Sequence, residues 1–489
     1  MTSLDHIRFL RRGKVVAYRP PSPTQTVLDY IRLVEKSPGT KEGCNEGDCG
    51  ACTVALGSLR NGKVTYVAVN ACIMLMGQLH GKELLTVEDL AEGETLHPVQ
   101  QAMVENHASQ CGFCTPGFVM SLFTLHQSGE KPDRKVVVDH IAGNLCRCTG
   151  YRPIIEAALA SCTGKPRGKW SSEKASADRL ASFRDDDNVW LEFENGFLAA
   201  PSTAGELANL AATHPDATIV AGATDVGLWI NKQMRDLPKI ILTGNVAELH
   251  AISEVDNHIL IGAAATYAEA AESLASIDAD IAEVMRRIGS KQVRASGTIG
   301  GNIANGSPIG DMPPMLIALG TTLVLRHGDK TRELPLEEFF IAYGKQDRQP
   351  GELVWQIKVP RLKASENFRA YKIGKRFDQD ISAVMAAFKL TVHNGEIASA
   401  RIAFGGMAAT PLRAMKCEQA LQGSAVDDPV TFQMANEALR QDFSPIDDMR
   451  ASATYRRDVA QSLLQKALIE IVAGRSDATR VVGQRQEVA

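Results

Sequence analysis

Eight of the ten cysteines occur in two groups of four, at spacings that could bind metal. The first quartet comprises Cys44, Cys49, Cys52 and Cys72. The second quartet combines two close pairs of cysteines, which are Cys111, Cys114, Cys146 and Cys148. Thiolates are ligands of zinc and of iron–sulfur clusters alike. The cysteine pattern therefore predicts two metal or cluster sites in this chain.

The loop of the first quartet favours a 2Fe–2S cluster. Its first three cysteines are separated by four and two residues, which is the spacing of plant-type 2Fe–2S ferredoxins. Residues 41–52 are also rich in glycine, so backbone amides can approach sulfur closely. The alternatives are a zinc site or buried free thiols. Zinc sites favour paired C-x2-C knuckles, and only one such pair occurs in this loop.

The second quartet lies beside predicted helix ends. Apolar residues at helical spacing predict a helix after Pro116, directly behind Cys111 and Cys114. The amides at the start of a helix stabilise thiolate and cluster charge. Cys146 and Cys148 fall between two further predicted helices. In isolation this quartet could be a zinc site, but beside a ferredoxin-like neighbour a second redox centre is the better interpretation.

Two glycine-rich loops are candidates for holding a pyrophosphate. Residues 221–227 follow a predicted strand at 217–220, and residues 296–308 form the second loop. Glycines next to Thr, Ser and Asn expose amides and hydroxyls to an anionic group. Neither loop contains G-x-G-x-x-G, so a Rossmann unit is not indicated. Ordinary turns remain an alternative explanation for both loops.

Hydrophobic periodicity divides the 489 residues into four folded units and a linker. We predict a small mixed unit at residues 1–87, a helical unit at 88–165 and a polar linker at 166–188. Alternating strands and helices follow at 189–362, and an α+β unit at 363–489 completes the chain. The linker should close with a solvated acidic run, Asp185-Asp186-Asp187.

Several local elements are predicted within these units. In the first unit they are a strand at 15–18, a helix capped by Thr26, and a hairpin of strands 53–59 and 64–69 joined at Asn61-Gly62. In the last unit they are strands at 383–392 and 397–404 and helices at 430–440 and 455–472. Cys162 and Cys417 have no cysteine nearby in sequence and should be inert, buried or half-buried thiols.

Composition and charge exclude several classes of function. Lys and Arg number 53 against 57 Asp and Glu, and the net charge of −4 argues against a nucleic-acid binder. No apolar run is long enough to span a membrane. The N-terminus has neither a secretory signal nor a lipidation motif. We therefore expect a cytoplasmic protein, where clustered thiols act as ligands more often than they form disulfides.

Four motifs in this order resemble the iron–sulfur and flavin portion of the xanthine dehydrogenases. They are the first quartet, QCGFCTPG at 110–117, CRCTGYR at 146–152 and TIGGN at 298–302. The resemblance spans almost the whole chain. Within this family, the chain is similar in particular to the small subunit of bacterial members. It implies an α+β multidomain fold with a β-grasp ferredoxin-like domain, an all-α iron–sulfur domain, an α/β FAD-binding domain of the vanillyl-alcohol-oxidase-like (PCMH) type and a C-terminal α+β domain.

The resemblance also implies a cofactor for each motif. The first quartet would ligate the 2Fe–2S cluster nearer the flavin, and the second quartet the cluster nearer the molybdenum cofactor of a partner chain. Gln110 would approach the pterin of that cofactor. The positions that match FAD contacts are Ala221, Gly222, Ala223, Thr224, Asp225, Val226, Thr298, Gly300, Gly301, Asn302, Asp311, Val354 and Lys372. Among them, Val354 would line the isoalloxazine ring.

Three positions depart from the pattern of the family. Ala223 stands where many relatives have Gly or Asn, and Gly310 stands where Ser is usual. Both changes exchange one small residue for another and leave FAD binding in place. Ile288 stands where the family has a phenylalanine against the flavin. Its aliphatic side chain removes a stacking contact, which bears on the flavin potential and on the choice of acceptor.

The implied function is electron transfer. Electrons would leave the molybdenum centre of a large subunit, pass through the two clusters to FAD and reduce NAD, while the partner hydroxylates hypoxanthine and xanthine to urate. The assembly would be an α2β2 heterotetramer, and this chain would need no general base. The alternatives are the same part of another molybdenum hydroxylase, acting on an aldehyde or an N-heterocycle, and a zinc-stabilised interaction scaffold. Neither the substrate nor the preference for NAD over oxygen is set by this sequence.

Overall fold

The N-terminal unit is a mixed five-stranded sheet with a short helix packed on one face. The computed structural model describes residues 3–60, 62–164, 174–183, 187–474 and 479–480. The strands are β1 (Ile7–Arg11), β2 (Lys14–Tyr18), β3 (Thr53–Arg60), β4 (Lys63–Asn70) and β5 (Glu83–Leu85), in the order β2-β1-β5-β3-β4. Thr26 caps helix α1 (Val27–Asp29), which continues as a π turn (Tyr30–Val34). Strands β1 and β5 run parallel, as the predicted β-grasp fold requires.

Local predictions for this unit are confirmed where the structure describes them. The predicted strand at 15–18 lies within β2, and the predicted hairpin corresponds to β3 and β4. Of its turn residues, Asn61 lies outside the described residues. Successive residues of a strand face opposite sides of a sheet. Phe9 therefore packs on the side of α1, and Leu10 packs on the opposite side.

The second unit is entirely helical and covers the Leu10 side of that sheet. Its helices are α2 (Pro98–Glu105), α3 (Thr115–Gln127), α4 (Arg134–Ile141) and α5 (Arg152–Ser161). A further helix, α6 (Lys174–Ala181), falls within the predicted linker, and its buried Leu180 packs into the same core. Residues 165–173 and 184–186, including Asp185 and Asp186 of the predicted acidic run, lie outside the described residues.

The third unit, residues 189–362, is the one predicted to bind FAD, and it has two sheets with helices between and around them. One sheet, in the order β6-β7-β9-β8, contains β6 (Val189–Phe193), β7 (Gly196–Ala200), β8 (Thr218–Val220) and β9 (Lys239–Leu242). The other, in the order β10-β11-β16-β12-β13, contains β10 (Ile252–Val255), β11 (His258–Gly262), β12 (Thr322–His327), β13 (Lys330–Pro335) and β16 (Leu353–Pro360), beside a ribbon of β14 (Phe340–Ala342) and β15 (Lys345–Gln346). The helices are α7 (Ala204–Thr213), α8 (Val226–Asn231), α9 (Tyr267–Ala275), α10 (Ala279–Arg286), α11 (Lys291–Ser296), α12 (Ile299–Asn305) and α13 (Met312–Leu319).

The second predicted glycine-rich loop is mostly a helix, so the prediction of a loop at 296–308 is wrong for α12. The Thr298 side chain caps this helix by accepting the Gly301 amide at 3.0 Å. Gly300 is packed so closely against Ala263 that a Cβ at this position would collide with it. A glycine is therefore needed at position 300 because α12 packs closely on the backbone of Ala263, and not because the chain turns there.

The C-terminal unit is an antiparallel sheet covered by helices. Its strands are β17 (Glu366–Ile373), β18 (Val384–His393), β19 (Glu396–Gly405) and β20 (Leu412–Arg413). Its helices are α14 (Met415–Leu421), α15 (Pro429–Asp442) and α16 (Ala453–Ala473), of which the last two were predicted. Cys417 and Cys162 are both buried, as expected. Throughout the described residues, no helix combines the length and the apolar character that a membrane span requires.

Candidate functional site

The first three cysteines of the first quartet lie in the loop between the π turn and β3. The fourth, Cys72, follows β4. The Cys44 sulfur accepts the amides of Asp48 and Cys49 at 3.4 and 3.3 Å, and the Cys49 sulfur accepts the Cys44 amide at 3.3 Å. The contact between the Cys44 and Cys49 thiols and the hydrogen bonds from these amides lower the pKa of Cys44 to about 5. Cys52 and Cys72 form a second adjacent pair, and this contact and burial raise the pKa of Cys72. The loop thus supplies two thiol pairs and amides directed at sulfur.

The second quartet forms two thiol pairs near the surface. Cys114 contacts Cys146, and Cys111 contacts Cys148. Burial raises the pKa of Cys114 to about 12. Burial acts in the same direction on Cys146, but hydrogen bonds from Thr149 and the Cys148 amide outweigh it and hold the pKa of Cys146 below its ordinary value. The pair of Cys111 and Cys148 is exposed, whereas the pair of Cys114 and Cys146 is half-buried.

Paired thiols fit a 2Fe–2S cluster, in which each of two irons takes two protein ligands. Both quartets have this arrangement, and in the first the amide donors face the sulfur atoms as an anionic cluster needs. A four-cysteine zinc site would instead bring its ligands onto one ion. Within the described ranges, no three Cys, His, Asp or Glu side chains are placed to hold a single metal ion.

A cavity of about 630 Å³ brings the two predicted pyrophosphate segments together. Strand β8 leads into one of them, and α12 carries the other. The predicted FAD positions that line the cavity are Ala221, Gly222, Ala223, Thr224, Asp225, Val226, Thr298, Gly300, Gly301, Asn302, Asp311 and Val354. Ile288 and Gly310, two of the departures from the family pattern, line it as well. The third, Ala223, has a φ of +58°, in the region that favours Gly or Asn.

The walls of the cavity fit a large polar cofactor. Three buried polar atoms in the wall, Asn302 Oδ1, Thr243 Oγ1 and Gln379 Nε2, have no hydrogen-bond partner among the described residues. Buried polar groups are normally paired, so a ligand that satisfies them is expected there. The volume also falls within the range of cofactor sites. These observations agree with FAD.

Lys372 lies behind the cavity wall and holds Asp311 in place. Its ammonium donates to Asp311 Oδ2 at 2.6 Å and to the Ser382 hydroxyl at 2.9 Å, and that hydroxyl donates to Asp311 Oδ1 at 2.5 Å. Both oxygens of the carboxylate are thus fixed by buried partners. Ser382 was not identified from the sequence, because its place in this triad depends on the pairing of β17 with the residues before β18.

The first quartet contributes to the same cavity, which the sequence did not reveal. Glu46, Gly47 and Asp48 of its loop line the cavity, as does Ile73 beside Cys72. The Asn231 side chain at the end of α8 donates to the Cys72 carbonyl at 2.7 Å. These contacts join residues far apart in the chain, so they could not be predicted from the local spacing of residues. Gln110, in contrast, lies exposed beside the second quartet.

Three family models match this chain. Residues 86–159 match a [2Fe-2S] binding domain, residues 191–362 match the FAD binding domain in molybdopterin dehydrogenase, and residues 369–471 match the CO dehydrogenase flavoprotein C-terminal domain. The structure resembles a chain of carbon monoxide dehydrogenase from Hydrogenophaga pseudoflava, with a TM-score of 0.53 and 28% sequence identity. That likeness covers 55% of this chain and 95% of the other.

Xanthine dehydrogenases are similar along nearly the whole chain. The protein from Emericella nidulans is 33% identical over 93% of this chain and 38% of its own length. The xanthine dehydrogenase/oxidase of Rattus norvegicus is 32% identical over 84% of this chain and 35% of its own length. The chain thus spans less than half of these relatives. With its paired cysteines and FAD-sized cavity, it belongs to the molybdenum hydroxylase family, of which it comprises the iron–sulfur and FAD-binding domains.

Proposed function

We propose that this chain is the electron-transfer part of a xanthine dehydrogenase. Each cysteine quartet would hold a 2Fe–2S cluster, and the cavity would hold FAD. A molybdenum-binding large subunit would hydroxylate hypoxanthine and xanthine to urate within an α2β2 heterotetramer, with Gln110 directed at its cofactor and NAD as the acceptor. Similarity to xanthine dehydrogenases over most of the chain supports this proposal. Both cluster sites would require reduced cysteine thiols, which favours the cytoplasm as the location of the protein.

One observation carries the order of the sites. Glu46, Gly47 and Asp48 of the first-quartet loop form part of the cavity wall, whereas Cys111 and Cys148 of the second quartet are exposed. The first quartet is therefore suited to exchange electrons with the flavin, and the second with a partner chain. This is the order that a path from an external molybdenum centre to FAD requires.

The residues of this chain bind and orient the redox groups. When bound, the clusters would carry single electrons and FAD would combine two of them for transfer as a hydride to NAD. Amides of Asp48 and Cys49 stabilise the thiolate of Cys44, and the Lys372 ammonium fixes the Asp311 carboxylate in the cavity wall. No acid–base step on this chain is needed.

Cofactor analysis of the purified protein tests this proposal. We expect visible absorption from iron–sulfur and flavin groups, with about four irons and about one FAD per chain. A large chain that carries molybdenum should copurify. A colourless protein with stoichiometric zinc would instead support a zinc-stabilised scaffold and contradict the proposal.

A second candidate is the same part of another molybdenum hydroxylase, one that acts on an aldehyde, an N-heterocycle or another small substrate. The structural likeness to a carbon monoxide dehydrogenase chain supports this alternative. In either case the substrate would be chosen by the partner chain. Activity of the copurified complex should therefore be compared on xanthine, aldehydes and N-heterocycles, with NAD and with oxygen as acceptors. Activity on xanthine with NAD would favour the first proposal.

A further inference from the structure

A buried polar network lies where the first three folded units meet. It joins Thr53 of the ferredoxin-like unit, Ser121 and Asn144 of the helical unit, and Gln292 of α11 in the FAD-binding unit. Each of these residues is at most 2% exposed. A buried polar group left without a partner costs free energy, so a network of this kind favours one relative arrangement of the units.

Each donor of the network has an acceptor, and among the described residues Gln292 Oε1 is the one side-chain oxygen of these four residues that has no hydrogen-bond partner. The Asn144 amide donates to the Gly50 carbonyl at 3.0 Å and to the Thr53 hydroxyl at 3.2 Å. The Thr53 hydroxyl donates to the Gly50 carbonyl at 2.6 Å, and the Ser121 hydroxyl donates to Asn144 Oδ1 at 2.6 Å. Gln292 Nε2 lies 3.1 to 3.2 Å from Thr53 Oγ1, Ser121 Oγ and Asn144 Oδ1. With two amide protons, Gln292 supplies the donors that these oxygens still need.

This network lies directly between the two cysteine quartets. The Leu145 amide donates to the Cys49 carbonyl at 3.0 Å, and Leu145 immediately precedes Cys146. The Asn144 side chain bonds the next carbonyl, that of Gly50. Two neighbouring hydrogen bonds therefore join the loop of the first quartet to that of the second. Gln292 in turn donates a hydrogen bond to Asn144, which makes one of these two bonds.

Helix α11 connects the contact to the FAD cavity. Its capping residue Ser290 lines the cavity, as do Gly289 and Val293. Gln292 lies between these residues in sequence but is directed into the network. A shift of this short helix on binding in the cavity would therefore be transmitted to Asn144 and to the two bonded loops.

We propose that Gln292 is a positioning residue that fixes the contact between the two quartets and makes this contact sensitive to occupancy of the FAD cavity. The inference rests on the proposed function, because it requires a cluster in each quartet. Gln292 belongs to neither cluster-binding unit. The FAD-binding unit thus sets the geometry through which one cluster passes an electron to the other.

Electron paramagnetic resonance of the full, cofactor-loaded protein tests the inference. In the reduced wild type, the two paramagnetic clusters should split each other's signals. Gln292→Met keeps the side-chain size but removes the amide donors. We expect it to change this splitting and to slow electron equilibration between the clusters several-fold, with unchanged iron and FAD content. Removing FAD should change the splitting in the wild type and leave Gln292→Met unaltered.

Two further variants make the result specific. Gln100→Met removes another amide that crosses a unit boundary, to the Val87 carbonyl at 3.2 Å, away from the FAD cavity, and should leave the splitting unchanged. Ser121→Ala removes one acceptor of Gln292 and should shift the splitting in the same direction as Gln292→Met, which keeps the test decisive if that variant fails to fold. Unchanged splitting and equilibration in Gln292→Met and Ser121→Ala would overturn the inference. Absence of two cluster signals in the wild type would instead overturn the proposed function.

Discussion

Gly50 allows the close approach of the two quartet loops. Its φ is +71°, and an added Cβ would collide with the carbonyl of Gly143, next to the Asn144 network. Gly62, in the turn of the β3–β4 hairpin, has a similar φ of +75° but open space around it. A side chain would strain the backbone at both positions, yet only at Gly50 would it also push the quartet loops apart.

We therefore expect Gly50→Ala and Gly62→Ala to differ. Gly62→Ala should lower the free energy of unfolding by about 1 kcal/mol, because it adds left-handed backbone strain alone. Gly50→Ala should cost about 1–3 kcal/mol more, because it also overpacks a rigid contact. It should also reduce the bound iron. Denaturant unfolding and iron analysis of both variants check this expectation, and equal effects would argue against a tight contact at Gly50.

At the scale of elements, the start of α10 carries a titratable cap. The Asp278 carboxylate accepts the Asp280 amide at 2.8 Å. Burial raises the pKa of Asp278 from 3.8 to about 6, although that hydrogen bond opposes the change. The folded protein therefore retains this proton to higher pH than the unfolded chain does. The contribution of Asp278 to stability consequently falls as the pH rises from about 4 to about 6.

Asp278→Asn should remove this pH dependence. Asparagine keeps the capping oxygen but carries no charge, so we expect stability near pH 7 to rise by about 1–3 kcal/mol. Asp428→Asn is a matched control, because Asp428 caps α15 through an equivalent 2.8 Å bond while exposed. Thermal unfolding between pH 4 and pH 7 compares the variants. If both behave alike, burial of Asp278 does not determine the effect.

Elements with local signals were predictable, and those set by tertiary packing were not. The Thr26 cap and the β3–β4 hairpin follow from neighbouring residues. Helix α12 was predicted as a loop because Gly300 and Gly301 suggest a turn, whereas Gly300 is required by contact with Ala263. Helix α6 was not predicted because its sequence is polar, and its stability comes from packing on strands β1, β3 and β4 of the first sheet.

For the whole molecule, the first sheet is the common support. One of its faces packs against the helical unit with the second quartet, and the other shares a single core with α1 and the β6–β9 sheet of the FAD-binding unit. The cysteine quartets and the glycine-rich segments could be identified from short-range spacing. Their relative order in space could not, because the contacts of Ile73, Asn231 and Gln292 cross unit boundaries.

The central claim is that the first quartet adjoins the flavin and the second quartet receives electrons from a partner. Cys114→Ser tests it most directly, because it removes a thiol of the second quartet alone. We expect NADH oxidation with an artificial acceptor at the flavin to remain largely intact, while electron flow from the partner's substrate is impaired and one cluster signal is lost. Equal loss of both activities at normal FAD content would contradict the claim.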